Sequence, residues 1–171
     1  GHHDRKAAEN FIGGDPHDVL QPLDFYVWAI VGAKGAIILD TGFDAAMGKK
    51  RQRETIKPVG DGLKAIGIDP MDVETVIVSH MHYDHIGNYD LFPRARYHLQ
   101  DREMAYATGR CMCHQQTRLP FEVEDVVAMV NQYLDSNPDP AMYEFLEWNL
   151  DEMSQRFGGV VGTTFRAFPS Y

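Results

Sequence analysis

The apolar run at residues 73–78 most constrains the fold of this chain, because its sequence, VETVIV, leads directly into a cluster of histidines. Mostly apolar and β-branched residues are typical of a strand that is covered on both faces. Residues 80–85 follow at once and read HMHYDH, so three imidazoles and one carboxylate stand within six positions. The sequence therefore predicts a loop rich in metal-binding groups at the edge of a buried sheet.

A β-hairpin is predicted upstream of this strand. Residues 25–31 (FYVWAIV) and 35–39 (GAIIL) are apolar and β-rich, and Gly32-Ala33-Lys34-Gly35 joins them. A short turn that contains glycine between two such runs favours antiparallel pairing. The second strand ends in Asp40-Thr41-Gly42, which is a turn signal at a strand terminus.

A helical connection is predicted between the hairpin and the strand that precedes the histidines. The stretch after Gly42 is helical in character, is broken by Pro58 and Gly60, and resumes at residues 62–66. Strand, helix and strand together predict a βαβ crossover, in which polar loops collect at the carboxyl ends of the strands. Asp40 and His80 both stand at such ends, so we expect them to be neighbours.

The rest of the chain is predicted to be largely helical. The expected elements are a short strand at 95–99, a helix at 100–108 closed by Gly109, and a helix with Val123, Val126, Val127 and Val130 on one face. Asp139-Pro140 is typical of a helix start, followed by an apolar stripe of Met142, Leu146, Leu150, Met153 and Phe157 up to Gly158-Gly159; residues 160–171 could add one strand.

Length and composition restrict the class of protein. The 171 residues correspond to about one domain, with residues 1–130 and 131–171 interpreted as two segments. The net charge of −9, with no stretch that concentrates Lys and Arg with aromatic residues between them, argues against nucleic acid as a partner. No apolar run is long enough for a membrane span and no signal peptide is visible, so a cytoplasmic protein is expected.

The histidine cluster itself suggests a site for two metal ions. His80 and His82 project to the same side of an extended backbone and can approach one ion, and Asp84 and His85 can face a second after the chain turns. Two ions about 3.5–4 Å apart can share a hydroxide. Gly87 permits a tight turn after them. The competing interpretation, surface histidines in a polar loop, accounts less well for this register.

Other polar residues have more than one interpretation. Asp40 could accept the second N–H of a ligating histidine, cap the next helix, or do both. Cys111-Met112-Cys113-His114 lacks the spacing of a structural zinc site and is interpreted as a buried or loosely ordered segment with free thiols. His98 is expected to be a packed or surface residue of its strand. Residues 49–54 (KKRQRE) are expected to form a solvated helix face.

These motifs resemble the metallo-β-lactamase fold superfamily, through Asp40-Thr41-Gly42 and Ser79-His80-Met81-His82-Tyr83-Asp84-His85-Ile86-Gly87-Asn88. Residues 9–16, 91–107 and 121–127 are in addition similar to the N-acyl-homoserine-lactonase-like metallohydrolases. The resemblance implies an αββα sandwich of mixed α/β (α+β) class. It also implies two divalent metal ions, usually zinc (with Mn, Fe or Co as alternatives), and a small-molecule lactone or ester that is hydrolysed by a bridging hydroxide.

The resemblance further implies roles for individual residues. His80 and His82 would bind the first metal, and Asp84 and His85 the second; Asp84 would also take part in catalysis. The resemblance covers residues 4–130 and then fades. No histidine follows His114, so the family's second-half ligands, two histidines and a bridging aspartate, are not found, and only the first half of the fold is clearly represented.

Three explanations for this gap are open. The chain could be an incomplete or rearranged version of a longer enzyme, which the intact histidine motif favours. It could be a non-catalytic relative that acts as a metal-binding or interaction scaffold, forming a homo-oligomer through the apolar stripe at 142–157. His98, His114 or a second subunit could also complete the metal shells.

Overall fold

The structure is a computed structural model, and it describes residues 1–11, 13–17 and 19–136, of which residues 133–136 are described by their backbone alone. The helix predicted after Asp139, its apolar stripe and the strand predicted at 160–171 lie outside the described residues, as does most of the 131–171 segment.

A four-stranded mixed sheet forms the centre of the described chain. After a small antiparallel pair, β1 (His2–His3) and β2 (Leu23–Asp24), the sheet consists of β3 (Trp28–Gly32), β4 (Gly35–Leu39), β5 (Thr75–Val78) and β6 (Arg96–Leu99), in that spatial order. β3 and β4 are antiparallel with Gly32 opposite Gly35, whereas β4, β5 and β6 run parallel. The predicted hairpin, βαβ crossover and short strand at 95–99 are therefore confirmed.

Helices fill the connections between these strands. They are α1 (Ala7–Asn10), α2 (Ala45–Lys50), α3 (Val59–Ala65), α4 (Tyr83–Ile86), α5 (Asp101–Thr108), α6 (Gln115–Arg118) and α7 (Val123–Ser136), with single 3₁₀ turns at Pro70–Asp72, Tyr89–Leu91 and Arg110–Cys113. The expectation that Gly60 breaks a helix is wrong. Pro58 precedes the first turn of α3 and Gly60 lies inside it, because proline is tolerated at a helix start and one glycine costs only about 1 kcal/mol.

The two faces of the sheet bury separate apolar clusters. Ile38, Val76, Val78 and Tyr97 pack on one face with residues from α3, α4, α5 and α7, among them Leu63, Ile86, Ala107 and Met129. Ile37, Leu39 and Ile77 form a smaller cluster on the other face with Ile30. Side chains alternate along a strand, so successive residues of β4 and β5 belong to opposite clusters. The polar loops follow the carboxyl ends of these two strands.

The helix predicted from the spacing of the valines is confirmed as α7, and its faces differ in burial. Val123 and Val127 are exposed, whereas Asp125 and Met129 are buried. Phe121 and Glu122, just before the helix, are buried as well. Cys111 and Cys113 are free thiols, as predicted; both are exposed, so the buried alternative is wrong for them. Met112 between them packs on the core.

The described part of the chain thus has an α+β fold with a sheet covered by helices on one face. This is one sheet and one helix layer of the predicted αββα sandwich. Among the helices that the structure describes, none is long and apolar enough to cross a lipid bilayer.

Candidate metal centre

The structure brings the four predicted metal ligands together at the carboxyl end of β5. His82 occupies the position that precedes the first turn of α4, and Asp84 and His85 lie inside that turn. The ring of His80 lies 4.3 Å from that of His82 and 3.8 Å from that of His85, centroid to centroid. Nε2 of His85 lies 3.3 Å from Oδ2 of Asp84. The four donor side chains therefore form one cluster.

Asp40 supports this cluster from the end of the neighbouring strand. Its backbone is left-handed, with φ of 62°, a conformation that aspartate adopts more readily than most residues. Oδ1 accepts the backbone N–H of Ser79 at 2.7 Å, and Oδ2 accepts the Ser79 hydroxyl at 2.9 Å and faces Nδ1 of His85 at 2.7 Å. Asp44, not Asp40, caps α2 by accepting from Met47 N. The carboxylate of Asp40 is thus directed to the histidine loop.

The loop after Asp40 holds the other end of the cluster. The backbone N–H of Thr41, which is fully buried, donates to the carbonyl of His85 at 2.6 Å. The Asn88 amide donates to the Thr41 carbonyl at 2.8 Å, and the backbone N–H of Gly87 donates to the Gly42 carbonyl at 2.7 Å. Gly87 has an ordinary φ of −70°. Close packing, and not a special backbone conformation, is therefore what requires glycine at this position.

Two neighbours of the cluster were not identified from the sequence. Oε1 of Glu103, on α5, accepts the backbone N–H of Met81 at 2.8 Å. The ring of Phe121 contacts that of His82 edge-on at a centroid distance of 4.8 Å. Neither residue belongs to the histidine motif or stands at a predicted strand end, so the sequence contained no signal for its position.

Burial and neighbouring charges shift the pKa values of the three histidines in different directions. Burial, together with the charges of His85 and His82, lowers the pKa of His80 to about 4. Burial likewise lowers the pKa of His82. Burial alone would also lower the pKa of His85, but its hydrogen bonds to Asp40 and Asp84 outweigh that effect and raise the pKa to about 9. At neutral pH His80 and His82 therefore have a free nitrogen lone pair, the form that binds metals.

The donor types of this cluster suit divalent transition metals. Imidazole nitrogen and carboxylate oxygen are the usual ligands of zinc and its neighbours. Within the part of the chain that the structure describes, however, no three His, Cys, Asp or Glu side chains are grouped so that they could hold one ion. That includes His98, which lies on β6 opposite Ile77, and the exposed His114. The pairing of the four motif residues, two to each ion, stays a prediction.

A network of charged side chains stabilises the outer side of the site. Arg51 binds Oε1 of Glu122 at 2.5 Å through Nη2, and its guanidinium carbon lies 4.3 Å from the ring centroid of Tyr83. Nε of Arg53 donates to the Tyr83 hydroxyl at 3.1 Å. The prediction of a solvated helix face at 49–54 is therefore wrong for these two arginines. α2 ends at Lys50, so the chain turns them toward buried partners.

Comparisons with known proteins point to one family. The sequence profile of the metallo-beta-lactamase superfamily matches residues 22–163, a range that begins and ends later than residues 4–130, over which the motifs resemble the family. The N-acyl homoserine lactonase AttM of Azorhizobium caulinodans is 51% identical over 45 residues, which are 26% of this chain and 17% of that protein. AttM of Agrobacterium fabrum is 47% identical over 47 residues, 28% of this chain and 18% of that protein.

A solved structure supports the fold. The crystal structure of a quorum-quenching N-acyl homoserine lactone lactonase matches 70% of this chain with a TM-score of 0.51 and 22% identity. The match covers 49% of that protein, so this chain spans about half the length of the lactonase and much less of the AttM sequences. The α+β class and the predicted fold are confirmed by these matches.

Proposed function

The chain belongs to the metallo-beta-lactamase superfamily, and from that membership we propose that it is a metal-dependent hydrolase of a small lactone or ester. The observation that carries the proposal is the convergence of His80, His82, Asp84 and His85 at one strand end, with Asp40 behind His85. The lactonases among its relatives supply the substrate class.

In this proposal the four donors act in pairs. His80 and His82 hold one divalent ion, and Asp84 and His85 hold the other, with zinc first and Mn, Fe or Co as alternatives. Such ions supply Lewis acidity and a hydroxide nucleophile at neutral pH. Asp84 is the carboxylate nearest the reaction by this assignment. Its Oδ2 lies 3.3 Å from Nε2 of His85, so the two donors of the second pair stand side by side.

Asp40 has a separate task in the proposal. It accepts from Nδ1 of His85, which fixes the tautomer that presents Nε2 to a metal and makes the imidazole a better donor. His82 lies edge-on against the ring of Phe121, and this contact helps to fix the orientation of that imidazole. The chain's own residues therefore orient the donors before any ion binds.

A second candidate function is a metal-binding or interaction scaffold without turnover. It is favoured by the lack of a three-donor group within the described residues, because catalytic zinc normally keeps three protein ligands and a water.

Metal analysis combined with turnover separates the two candidates. After dialysis the chain is expected to retain about two zinc or cobalt ions and to open an N-acyl homoserine lactone or hydrolyse a simple aryl ester. His82→Ala should lose both properties. His114→Ala is the matched control, since His114 is an exposed histidine outside the cluster. Fewer than one retained ion per chain would exclude the dinuclear site, and metal retention without turnover would support the scaffold.

A further inference from the structure

Glu103 binds the polypeptide of the histidine motif rather than a side chain. It lies in the first turn of α5, and its Oε1 accepts the backbone N–H of Met81 at 2.8 Å. Met81 stands between His80 and His82, and its own side chain is completely buried in the core. Met81, which connects the two histidines, is therefore held through its side chain by packing and through its backbone N–H by a carboxylate.

A second carboxylate holds the amide two positions earlier. Oδ1 of Asp40 accepts the backbone N–H of Ser79 at 2.7 Å. His80 thus lies between two amides, each bound by a different acidic residue from a different element of the fold. Hydrogen bonds from amides to carboxylates are stronger than those between neutral groups, so this stretch is fixed more firmly than an ordinary loop.

The two acids differ in what else they contact. Asp40 also binds the ring of His85, whereas Glu103 binds the loop through the backbone N–H of Met81. We propose that Glu103 is a positioning residue for the His80–His82 pair, which sets the affinity of the first metal ion through the Met81 amide. The inference rests on the proposed function for the identity of the ligand. Asp40 has the corresponding task for His85.

The test uses three variants of the full chain. Glu103→Ala removes the acceptor, and Glu103→Gln keeps an amide oxygen at the same reach while it removes the charge. Asp101→Ala is the control, because Asp101 is an acid of the same helical turn that is exposed. Circular dichroism and thermal melting establish that each variant is folded.

The first readout is a titration with cobalt(II), followed by its visible absorption. Glu103→Ala is expected to weaken one of two binding steps by about 10- to 100-fold, as is typical when a group that orients a ligand is lost. The other step should change little. Glu103→Gln should recover most of the affinity, and Asp101→Ala should behave as the wild type. Unchanged binding in Glu103→Ala, or an equal loss in both steps, would overturn the proposal.

The second readout does not require a metal. Hydrogen exchange at the Met81 amide, followed by NMR, should be markedly faster in Glu103→Ala than in the wild type, and nearly unchanged in Glu103→Gln. If the wild type binds no cobalt, the proposed function fails, and this readout still decides the positioning role. Equal protection of the Met81 amide in Glu103→Ala and the wild type would overturn it.

Discussion

Oδ2 of Asp40 lies 2.7 Å from Nδ1 of His85, although 45 positions of sequence separate the two residues. The contact exists because β4 and β5 are parallel neighbours, so the loops that follow them leave the sheet at the same edge. The left-handed backbone of Asp40 aims the carboxylate into the histidine loop. A conformation of this kind costs of order 1 kcal/mol and persists only where other contacts enforce it.

Asp40→Asn is expected to weaken metal binding at His85 by about 10- to 100-fold. Asparagine tolerates the left-handed backbone as well as aspartate does, so the change isolates the hydrogen bonds. The amide has only one oxygen, whereas the carboxylate accepts from Ser79 with both of its oxygens and faces His85 as well. Asp40→Ala should bind as weakly and be less stable by about 1 kcal/mol more, because alanine adds backbone strain. Cobalt titration and urea unfolding measure the two effects, and wild-type affinity in Asp40→Asn would contradict the assignment.

Gly87→Ala is expected to lower the free energy of unfolding by about 1–3 kcal/mol, because the new methyl group would overpack the junction. A Cβ at this position would lie 3.0 Å from the Tyr83 carbonyl oxygen and 3.1 Å from that of Gly42. Both atoms are backbone and cannot rotate away. Gly32→Ala is the control, since a Cβ there meets nothing within 4 Å. Urea unfolding of both variants would reveal the difference; equal stability would mean that the two loops separate easily.

The sequence was sufficient to predict those residues of the site that stand at the ends of strands. Residues 73–78 are apolar and β-branched and run into the histidines, so the position of His80 follows from alternation and parallel pairing. Asp40 is predictable in the same way, although its role as a helix cap and its role beside a histidine were equally open. The structure decides between them because Asp44 caps α2.

The parts that depend on distant packing could not be predicted. Glu103 reads as an ordinary acid in the first turn of a helix, where the helix dipole favours one. Only the placement of α5 against the histidine loop brings it to Met81. The exposure of Val123 and Val127 could not be predicted for a related reason. The helical period of α7 is evident from the sequence, but its rotation depends on Glu122, whose partner Arg51 is 71 positions away.

Glu122→Gln is expected to destabilise the fold by about 1.5–3 kcal/mol, the usual value of hydrogen bonds to charged groups. The Glu122 side chain is 8% exposed, and Lys50 and Arg51 bind its two oxygens at 2.6 and 2.5 Å. The neutral amide would leave Arg51, itself 18% exposed, without its counter-charge. Glu124→Gln is the control, because Glu124 is an exposed neighbour in α7.

The effect of Glu122→Gln should also depend on pH. Burial raises the pKa of Glu122, but the bonds to Lys50 and Arg51 outweigh it and lower the pKa below the ordinary 4.5. A folded-state pKa that is depressed gives stability above the unfolded-state value and loses it as the pH falls through the folded-state value. The gap between wild type and variant in urea unfolding should therefore be full at pH 7 and shrink below about pH 4.5. A gap independent of pH would indicate loss of packing rather than of the ion pair.

Asp125→Asn should have the opposite pH dependence and stabilise the protein at neutral pH. Oδ2 of Asp125 is buried and has no hydrogen-bond partner among the described residues. Burial first, and then the charges of Glu122, Glu124 and Asp44 against that of Lys50, raise the pKa of Asp125 from 3.8 to about 6. A raised folded-state pKa means that the unfolded chain releases this proton at lower pH, so stability falls as the pH rises from about 4 through about 6.

Urea unfolding at pH 4 and pH 8 tests this prediction for Asp125. Asp125→Asn should match the wild type at pH 4 and exceed it at pH 8 by of order 1–3 kcal/mol, as a shift of about two pKa units implies. Because the charge of Glu122 contributes to the shift, the same replacement in a Glu122→Gln background should give a smaller gain. An equal gain in both backgrounds would mean that burial alone disfavours the Asp125 carboxylate, and no gain at pH 8 would mean that this carboxyl group finds a partner when it ionises.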